Sequence, residues 1–141
     1  MPTAEDNVRW LLDYVAGSEA KVEAQGGTTD GLSVDQFDAY SEDTVFYYDN
    51  HEYRGMAGLQ AFIDLLAPYT LSFDGVIDAF GSEDRVTLVI KESLVRRSDG
   101  ERIDYVRTAT YRIVDHVIRE CWIVDAPPAE LAAFLGRNPV T

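Results

Sequence analysis

Two residues of opposite charge, Glu92 and Arg107, occupy positions that would make them neighbours on one face of a β-sheet. Each lies in a long stretch of alternating apolar and polar residues, and a period of two predicts half-buried strands. The Asp99-Gly100 pair between these stretches predicts a two-residue hairpin turn of type I′. That turn sets a register in which Glu92 lies opposite Arg107. A carboxyl group beside a guanidinium could act as general acid or base, with the guanidinium stabilising developing negative charge.

The predicted register places this charged pair within an otherwise apolar face, whereas the opposite face of the hairpin would be much more polar. Burying two charges costs several kcal/mol per ion unless they are paired and hydrogen-bonded, so we expect a functional reason for the pair. The alternative is an ordinary cross-strand pair at the sheet edge with both heads in water, worth about 0.2 to 1 kcal/mol. The residues that share the predicted interior face are Val86, Leu88, Ile90, Leu94, Tyr105, Ala109, Tyr111 and Ile113.

The last predicted strand has two possible orientations, which depend on the turn at Asp115-His116. A two-residue turn and a longer turn give opposite parity to the residues that follow. If the second orientation holds, Asp125 adds a second carboxylate to the interior face. The side chains that point inward are either Glu120 and Trp122 or Cys121, Ile123 and Asp125.

Tyrosines near the predicted pair could donate hydrogen bonds within an apolar wall. Tyr48, in the first predicted strand, and Tyr105 would donate to a reacting oxygen, although aromatic strand residues are more often plain core. Cys121 has no basic sequence neighbour that would lower its pKa, so we expect a buried, unreactive thiol. The predicted substrate-binding residues are Trp10, Tyr14, Phe46, Ile90, Leu94, Tyr105 and Ile123.

Helices precede most of the strands in the predicted order of elements. Apolar residues at three- and four-residue spacing predict a first helix from Asp6 to about Glu23. Helices followed by a meander of long antiparallel hairpins predict an α+β fold. The other predicted elements are a short helix from Ser33 to Tyr40 with a capping box to Gln36, a strand at 44–48, a loop at 49–54, a helix at 56–66 ended by Pro68, strands at 71–80, 85–96, 102–114 and 117–125, and a helix at 130–135.

The composition argues against several classes of protein. Twenty-five acidic against 12 basic residues give a net charge of -13, which repels phosphate backbones and anionic membranes, so we expect neither nucleic acid nor membrane as partner. One cysteine and no zinc-like Cys/His spacing predict a cytoplasmic protein without a structural metal. Glu5 and Asp6 stand where a signal peptide would be basic. Residues 1–141 are predicted to form one domain.

The element order and two segments resemble the SnoaL-like branch of the nuclear transport factor 2-like (NTF2-like) superfamily. The first segment runs from Tyr40 to Phe46 and is followed by Arg54-Gly55 and a helix. The second is the final hairpin, residues 111–113 and 117–122. The resemblance covers roughly residues 5–135 and implies a cone-shaped, curved antiparallel sheet wrapped around the N-terminal helices. It also implies a single deep pocket and, usually, a homodimer.

Enzymes of this superfamily include ketosteroid isomerase, limonene epoxide hydrolase, scytalone dehydratase and polyketide cyclases, which use acid/base chemistry without a cofactor. Other members only bind ligands, so the fold does not settle the function. The base of ketosteroid isomerase falls near Tyr48, but its second acid falls on Ala109 and its helix tyrosine on Trp10. The strand aspartate of limonene epoxide hydrolase falls on Glu92, and its arginine falls on Ile90.

The resemblance and the charged pair together predict a cofactor-independent acid/base enzyme for a small, largely apolar, oxygenated substrate. The predicted reaction is that of a SnoaL-like isomerase or cyclase, with epoxide hydrolysis as the alternative. The predicted catalytic residues are Glu92, Arg107, Tyr48 and Asp125. A second hypothesis is a binding protein in which Arg107 and the tyrosines hold a polar or anionic ligand. A third is a subunit that exists to dimerise.

Overall fold

Helices α1 and α2 pack against the inner face of a curved six-stranded sheet in the computed structural model, which describes residues 3–136. The predicted α+β class is confirmed. Of the described helices, none is both long and apolar enough to cross a membrane. The elements are α1 (Ala4–Glu23), β1 (Val45–Tyr48), β2 (His51–Arg54), α2 (Gly55–Asp64), β3 (Tyr69–Gly81), β4 (Arg85–Arg96), β5 (Arg102–Val114), β6 (Val117–Ala126) and α3 (Pro128–Phe134).

The sheet is mixed, which corrects the antiparallel sheet expected from the sequence. Its strand order is β2-β1-β6-β5-β4-β3, and β1 runs parallel to β6 while every other neighbouring pair is antiparallel. The predicted loop at residues 49–54 is a tight turn followed by strand β2. Asp49 and Asn50 both have positive φ, as a type I′ turn requires. Strand β2 escaped prediction because most of its side chains are polar and exposed.

The β4–β5 hairpin has a longer loop than the sequence predicted. Of Asp99 and Gly100, only Gly100 has positive φ, and the strands are closed by a hydrogen bond from Arg96 N to Glu101 O at 2.8 Å. The register therefore moves by two residues, so that Glu92 lies opposite Tyr105. A shift of two keeps every side chain on its face, and the predicted interior face is confirmed.

The structure of the final hairpin shows which of the two predicted orientations the last strand adopts. Asp115 and His116 form a two-residue turn with φ of 50° and 58°, which alone would turn Glu120 inward. A β-bulge intervenes, because Ile113 pairs with Ile118 but the preceding residue, Arg112, pairs with Glu120. The extra residue restores the other parity, and the residues that point inward are Cys121, Ile123 and Asp125.

The N-terminal elements follow ordinary capping rules, with one correction. Thr3 and Asp6 form a capping box at the start of α1. The predicted helix from Ser33 to Tyr40 is only a 3-10 turn, Val34–Gln36. The Ser33 hydroxyl accepts a hydrogen bond from the Asp35 N–H, whereas the Gln36 N–H donates to the Ser33 carbonyl oxygen. The short turn brings Phe37 and Ala39 into the main core, beside the inner face of the sheet.

Candidate functional site

A buried pair formed by Arg107 on β5 and Asp125 on β6 lies at the centre of the inner face. The two residues are direct register partners across the strands. Arg107 Nε donates to Asp125 Oδ1 at 2.9 Å, and Nη2 donates to Oδ2 at 3.0 Å. The exposed fractions of the two side chains are 13% and 4%. This two-point contact fixes the plane of the guanidinium as well as its position.

Glu92 on β4 lies on the other side of Arg107. The Tyr105 hydroxyl donates to Glu92 Oε1 at 2.7 Å, whereas Arg107 Nη1 lies 3.6 Å from the same oxygen, beyond hydrogen-bond range. The structure thus brings the predicted pair together, but Glu92 is diagonal to Arg107 and the direct partner of Arg107 is Asp125. The result is a carboxyl–guanidinium–carboxyl row in which Arg107 engages Asp125 more tightly than Glu92.

Three aromatic rings enclose the Arg107 guanidinium. Its Cζ lies 5.5 Å from the ring centre of Tyr48, 5.8 Å from Phe62 and 5.7 Å from Tyr105. The Tyr48 hydroxyl also donates to Asp125 Oδ2 at 2.7 Å. Rings around a desolvated cation stabilise it through their negative faces. The rings therefore hold the charged row in place and keep water away from it.

Burial governs the acidities of the site. Burial raises the pKa of Glu92 above its ordinary value, although Arg107 and the Tyr105 hydroxyl oppose this. Burial, together with the neighbouring carboxylates, also raises the pKa of Tyr105, so its phenol remains a hydrogen-bond donor. Burial works against the charge of Arg107, but Glu92 and Asp125 raise its pKa above the ordinary value. Within the row, Glu92 is therefore a carboxyl group whose proton is held more tightly than that of an exposed glutamate.

The space beside the charged row consists of two cavities that share Arg107, Phe62 and Leu66 as lining residues. The first cavity, of about 160 Å³, is lined by Glu92 and by side chains from α1, α2 and the sheet. The second, of about 170 Å³, is lined by Tyr48 and Tyr105 and by residues near α3. Among the described residues, these two cavities adjoin each other at Arg107, Phe62 and Leu66.

The predicted substrate-binding residues do not all line the same cavity. Tyr14, Phe46, Ile90 and Ile123 line the first cavity, and Leu94 and Tyr105 line the second. Trp10 lines neither of these cavities but borders a separate surface depression with His116. Its ring packs on Tyr14, with ring centres 5.5 Å apart, and on His116 of the final turn, with ring centres 4.8 Å apart.

Among the side chains that line the first cavity but were not predicted as site residues are Phe62 on α2 and Glu19 on α1. Phe62 belongs to the apolar stripe of its helix, but no local pattern shows which stripe residues border empty space. Glu19 follows Val15 by four residues and precedes Val22 by three, so it lies on the stripe that faces the sheet. The sequence feature that could have identified Glu19 is an acidic residue within the otherwise apolar stripe of α1.

Asp125 lies apart from both interior cavities. It borders a groove of about 470 Å³ between the β1–β2 hairpin, β6 and α3. Its carboxylate oxygens accept hydrogen bonds from Arg107 and Tyr48.

Cys121 is fully buried, and burial raises the pKa of its thiol, as expected for an unreactive cysteine. Across residues 3–136, no three His, Cys, Asp or Glu side chains are grouped so that they could hold a metal ion.

Replacing Tyr48 with phenylalanine is expected to lower the free energy of unfolding by about 1.5 to 3 kcal/mol, because a hydrogen bond to a buried carboxylate is lost. The matched control is Tyr47→Phe, whose hydroxyl makes only a long contact of 3.5 Å to Glu120. That change should alter stability by less than about 0.5 kcal/mol. Urea denaturation of both variants measures the difference. Equal effects would show that the Tyr48 hydroxyl does not support Asp125.

Comparison with protein-family models and with curated protein sequences finds no match. Solved structures do match in fold. AclR, a proposed hydroxylase from Streptomyces galilaeus, superposes with a TM-score of 0.68 at 21% identity, covering 98% of this chain and 89% of AclR. An NTF2-like protein from Burkholderia xenovorans gives 0.65 at 13% identity, covering 89% of this chain and 92% of that protein.

A SnoaL-like polyketide cyclase from Agrobacterium tumefaciens has a TM-score of 0.64 at 14% identity, with 95% of this chain and 99% of the cyclase covered. Identities this low carry the fold and not the reaction. The three superposed structures agree with the element order of this chain and with its sheet wrapped around α1 and α2. The chain therefore has the NTF2-like fold.

Proposed function

We propose that this protein is an acid/base enzyme that moves a proton within a small, largely apolar, oxygenated substrate, as a cofactor-independent isomerase or cyclase does. The observation that carries this proposal is Glu92, a buried carboxyl group that borders an apolar cavity and has a raised pKa. A carboxyl group poised in this way can take a proton from one atom of a bound substrate and return it to another. The polyketide cyclase that superposes on this chain shares its fold, and that fold can carry such a reaction without specifying it.

Each neighbour of Glu92 has a role in this proposal. The ionised Glu92 removes a proton from a carbon beside a carbonyl group, which leaves negative charge on the carbonyl oxygen. Arg107, whose Nη1 is the guanidinium nitrogen nearest Glu92, stabilises that oxygen. The protonated Glu92 then returns the proton at the new position, and the Tyr105 hydroxyl holds its carboxyl group in place. Asp125 and Tyr48 are positioning residues, because they contact Arg107 and each other rather than the cavity.

This geometry disfavours two specific alternatives. Epoxide hydrolysis with Glu92 to activate water and Asp125 to protonate oxygen needs both groups in one cavity. Asp125 does not line the cavity of Glu92, so the second acid predicted from the sequence is not in place for that reaction. A binding protein for anions would need donors of Arg107 for its ligand, but two of its three nitrogens already donate to Asp125.

Screening small cyclic ketones and epoxides for turnover tests the proposal, with product detection by mass spectrometry and proton NMR. A substrate converted by the wild type and by Lys91→Gln, but not by Glu92→Gln, is the expected result. Lys91 is the exposed neighbour of Glu92 on the same strand, so it controls for changes to β4. Turnover that survives in Glu92→Gln would overturn the assignment.

The pH dependence of the reaction follows from the direction of the Glu92 shift. As a base Glu92 must be ionised, and its pKa lies above the ordinary value of 4.5. We therefore expect kcat/KM to rise with pH through the raised pKa and not to level off near 4.5. Kinetics of the converted substrate over a pH series measures this. A rate independent of pH above 4.5 would contradict Glu92 as the base.

A further inference from the structure

Glu19 is a second carboxyl group that borders the cavity of Glu92, and the proposed proton transfer does not use it. It projects from α1 into the lining of the first cavity, where most of its neighbours are apolar or aromatic. The side chain is partly exposed, so it lies where the cavity meets solvent. Within residues 3–136 no hydrogen bond or ion pair engages its carboxyl group. A carboxylate on a cavity wall without such a partner disfavours a second negative charge nearby.

The charges that face this cavity are unbalanced. Among residues 3–136, Arg107 is the one cation that lines it, and two of the three guanidinium nitrogens already donate to Asp125. Glu92 and Glu19 remain as acids, and their mutual repulsion contributes to the raised pKa of Glu19, after the effect of burial. A bound anion would face both carboxyl groups, and only Nη1 of Arg107, which lies 3.6 Å from Glu92, would remain to pair with it. Neutral and cationic ligands would not meet this repulsion.

The size of the cavity limits the ligand further. Its volume of about 160 Å³ is close to the roughly 150 Å³ of an engineered apolar cavity that binds benzene. Aromatic side chains that border the space, including Phe46 and Phe62, suit a flat apolar ring. The space beside Glu92 therefore matches a compound with one ring, not a fused polycyclic one.

We propose that the cavity between α1 and the sheet binds one-ring compounds that carry no negative charge, and that Glu19 is the residue that excludes anions. The proposal rests on the proposed function only in treating this cavity as the substrate site. It names the substrate class of that site and makes Glu19 a determinant of specificity. Acid/base chemistry at Glu92 does not depend on Glu19 in this account.

Three probes with the same ring and different charge test the proposal near neutral pH: benzyl alcohol, benzylamine and benzoate. Binding is followed by NMR shifts of the methyl groups of Ile90 and Ile63, which border the cavity. For the wild type we expect benzyl alcohol and benzylamine to bind and benzoate not to bind. In Glu19→Gln, benzylamine should bind at least about fivefold more weakly relative to benzyl alcohol, and binding of benzoate should become measurable.

The control variant is Asp13→Asn, which removes one negative charge from the exposed side of the same helix. It should leave the order of the three probes unchanged. Benzoate binding to the wild type as tightly as benzyl alcohol, an unchanged order in Glu19→Gln, or no binding by any probe would each overturn the proposal. The probe series needs no turnover, so its failure leaves the Glu92→Gln kinetics as a separate test of the proposed function.

Discussion

Replacing Asp125 with asparagine is expected to lower the free energy of unfolding by about 3 to 5 kcal/mol. Removing one partner of a buried ion pair leaves the other charge uncompensated in a poorly solvated site. Arg107 is enclosed by three aromatic rings and has Asp125 as its hydrogen-bonded carboxylate partner. Urea denaturation followed by the fluorescence of Trp10 and Trp122 measures the loss.

The same pair of strands provides a matched control on the opposite face. Arg112 Nε donates to Glu120 Oε1 at 2.7 Å, and these residues are also register partners of β5 and β6. Their side chains are 30% and 27% exposed. Glu120→Gln should therefore cost about 0 to 1 kcal/mol, as partly exposed pairs do. A similar cost for both variants would show that the inner pair is not a special support of the site.

Replacing Glu92 with glutamine is expected to lower kcat/KM by about 100-fold to 10,000-fold for any substrate that the wild type converts. This is the usual contribution of a positioned general acid or base. Glutamine keeps the oxygen that accepts the Tyr105 hydrogen bond but cannot take or release a proton. Glu101→Gln, an exposed change at the start of the same hairpin's second strand, should leave the rate within about twofold.

The contribution of Glu92 to the stability of the wild type should change with pH in the opposite sense to the wild-type activity. Because burial raises the pKa of Glu92, the folded chain binds this proton more tightly than the unfolded chain. The stability that the protonated group contributes is present below about 4.5 and is lost as pH rises through the raised pKa. Glutamine does not ionise, so we expect the variant to equal or exceed the wild type in stability above that pKa. A variant less stable than the wild type at alkaline pH would contradict this account.

Local patterns in the sequence predicted on which face of the sheet a side chain lies better than they predicted which residue it pairs with on the next strand. The Asp99-Gly100 pair placed the hairpin correctly but predicted too short a turn. The error of two residues changed the partner of Glu92 and left its face unchanged, because side chains alternate with a period of two. The orientation of Asp125 could not be decided, since it depends on a β-bulge that the Asp115-His116 turn does not reveal.

Contacts between distant segments were beyond the reach of these patterns. Tyr48 contacts Asp125 because β1 lies parallel to β6, and this pairing joins segments more than 70 residues apart. A resemblance to a superfamily predicted the wrapped sheet but not the two adjoining interior cavities. Phe62 borders both of them, and α2 sets its ring against those of Phe46 and Tyr48. Such packing depends on contacts between residues that are far apart in the sequence, so no local sequence pattern predicts it.

The titration of the Glu92 carboxyl group tests the central claim most directly. Carbon-13 NMR of the wild-type protein labelled at glutamate side chains follows its ionisation without any substrate, and Glu92→Gln assigns the resonance. We predict a pKa above the ordinary value of 4.5, because burial outweighs the attraction of Arg107. A pKa at or below 4.5 would mean a carboxylate permanently paired with Arg107, and Glu92 would then be a structural ion-pair partner and not the proton-transfer group.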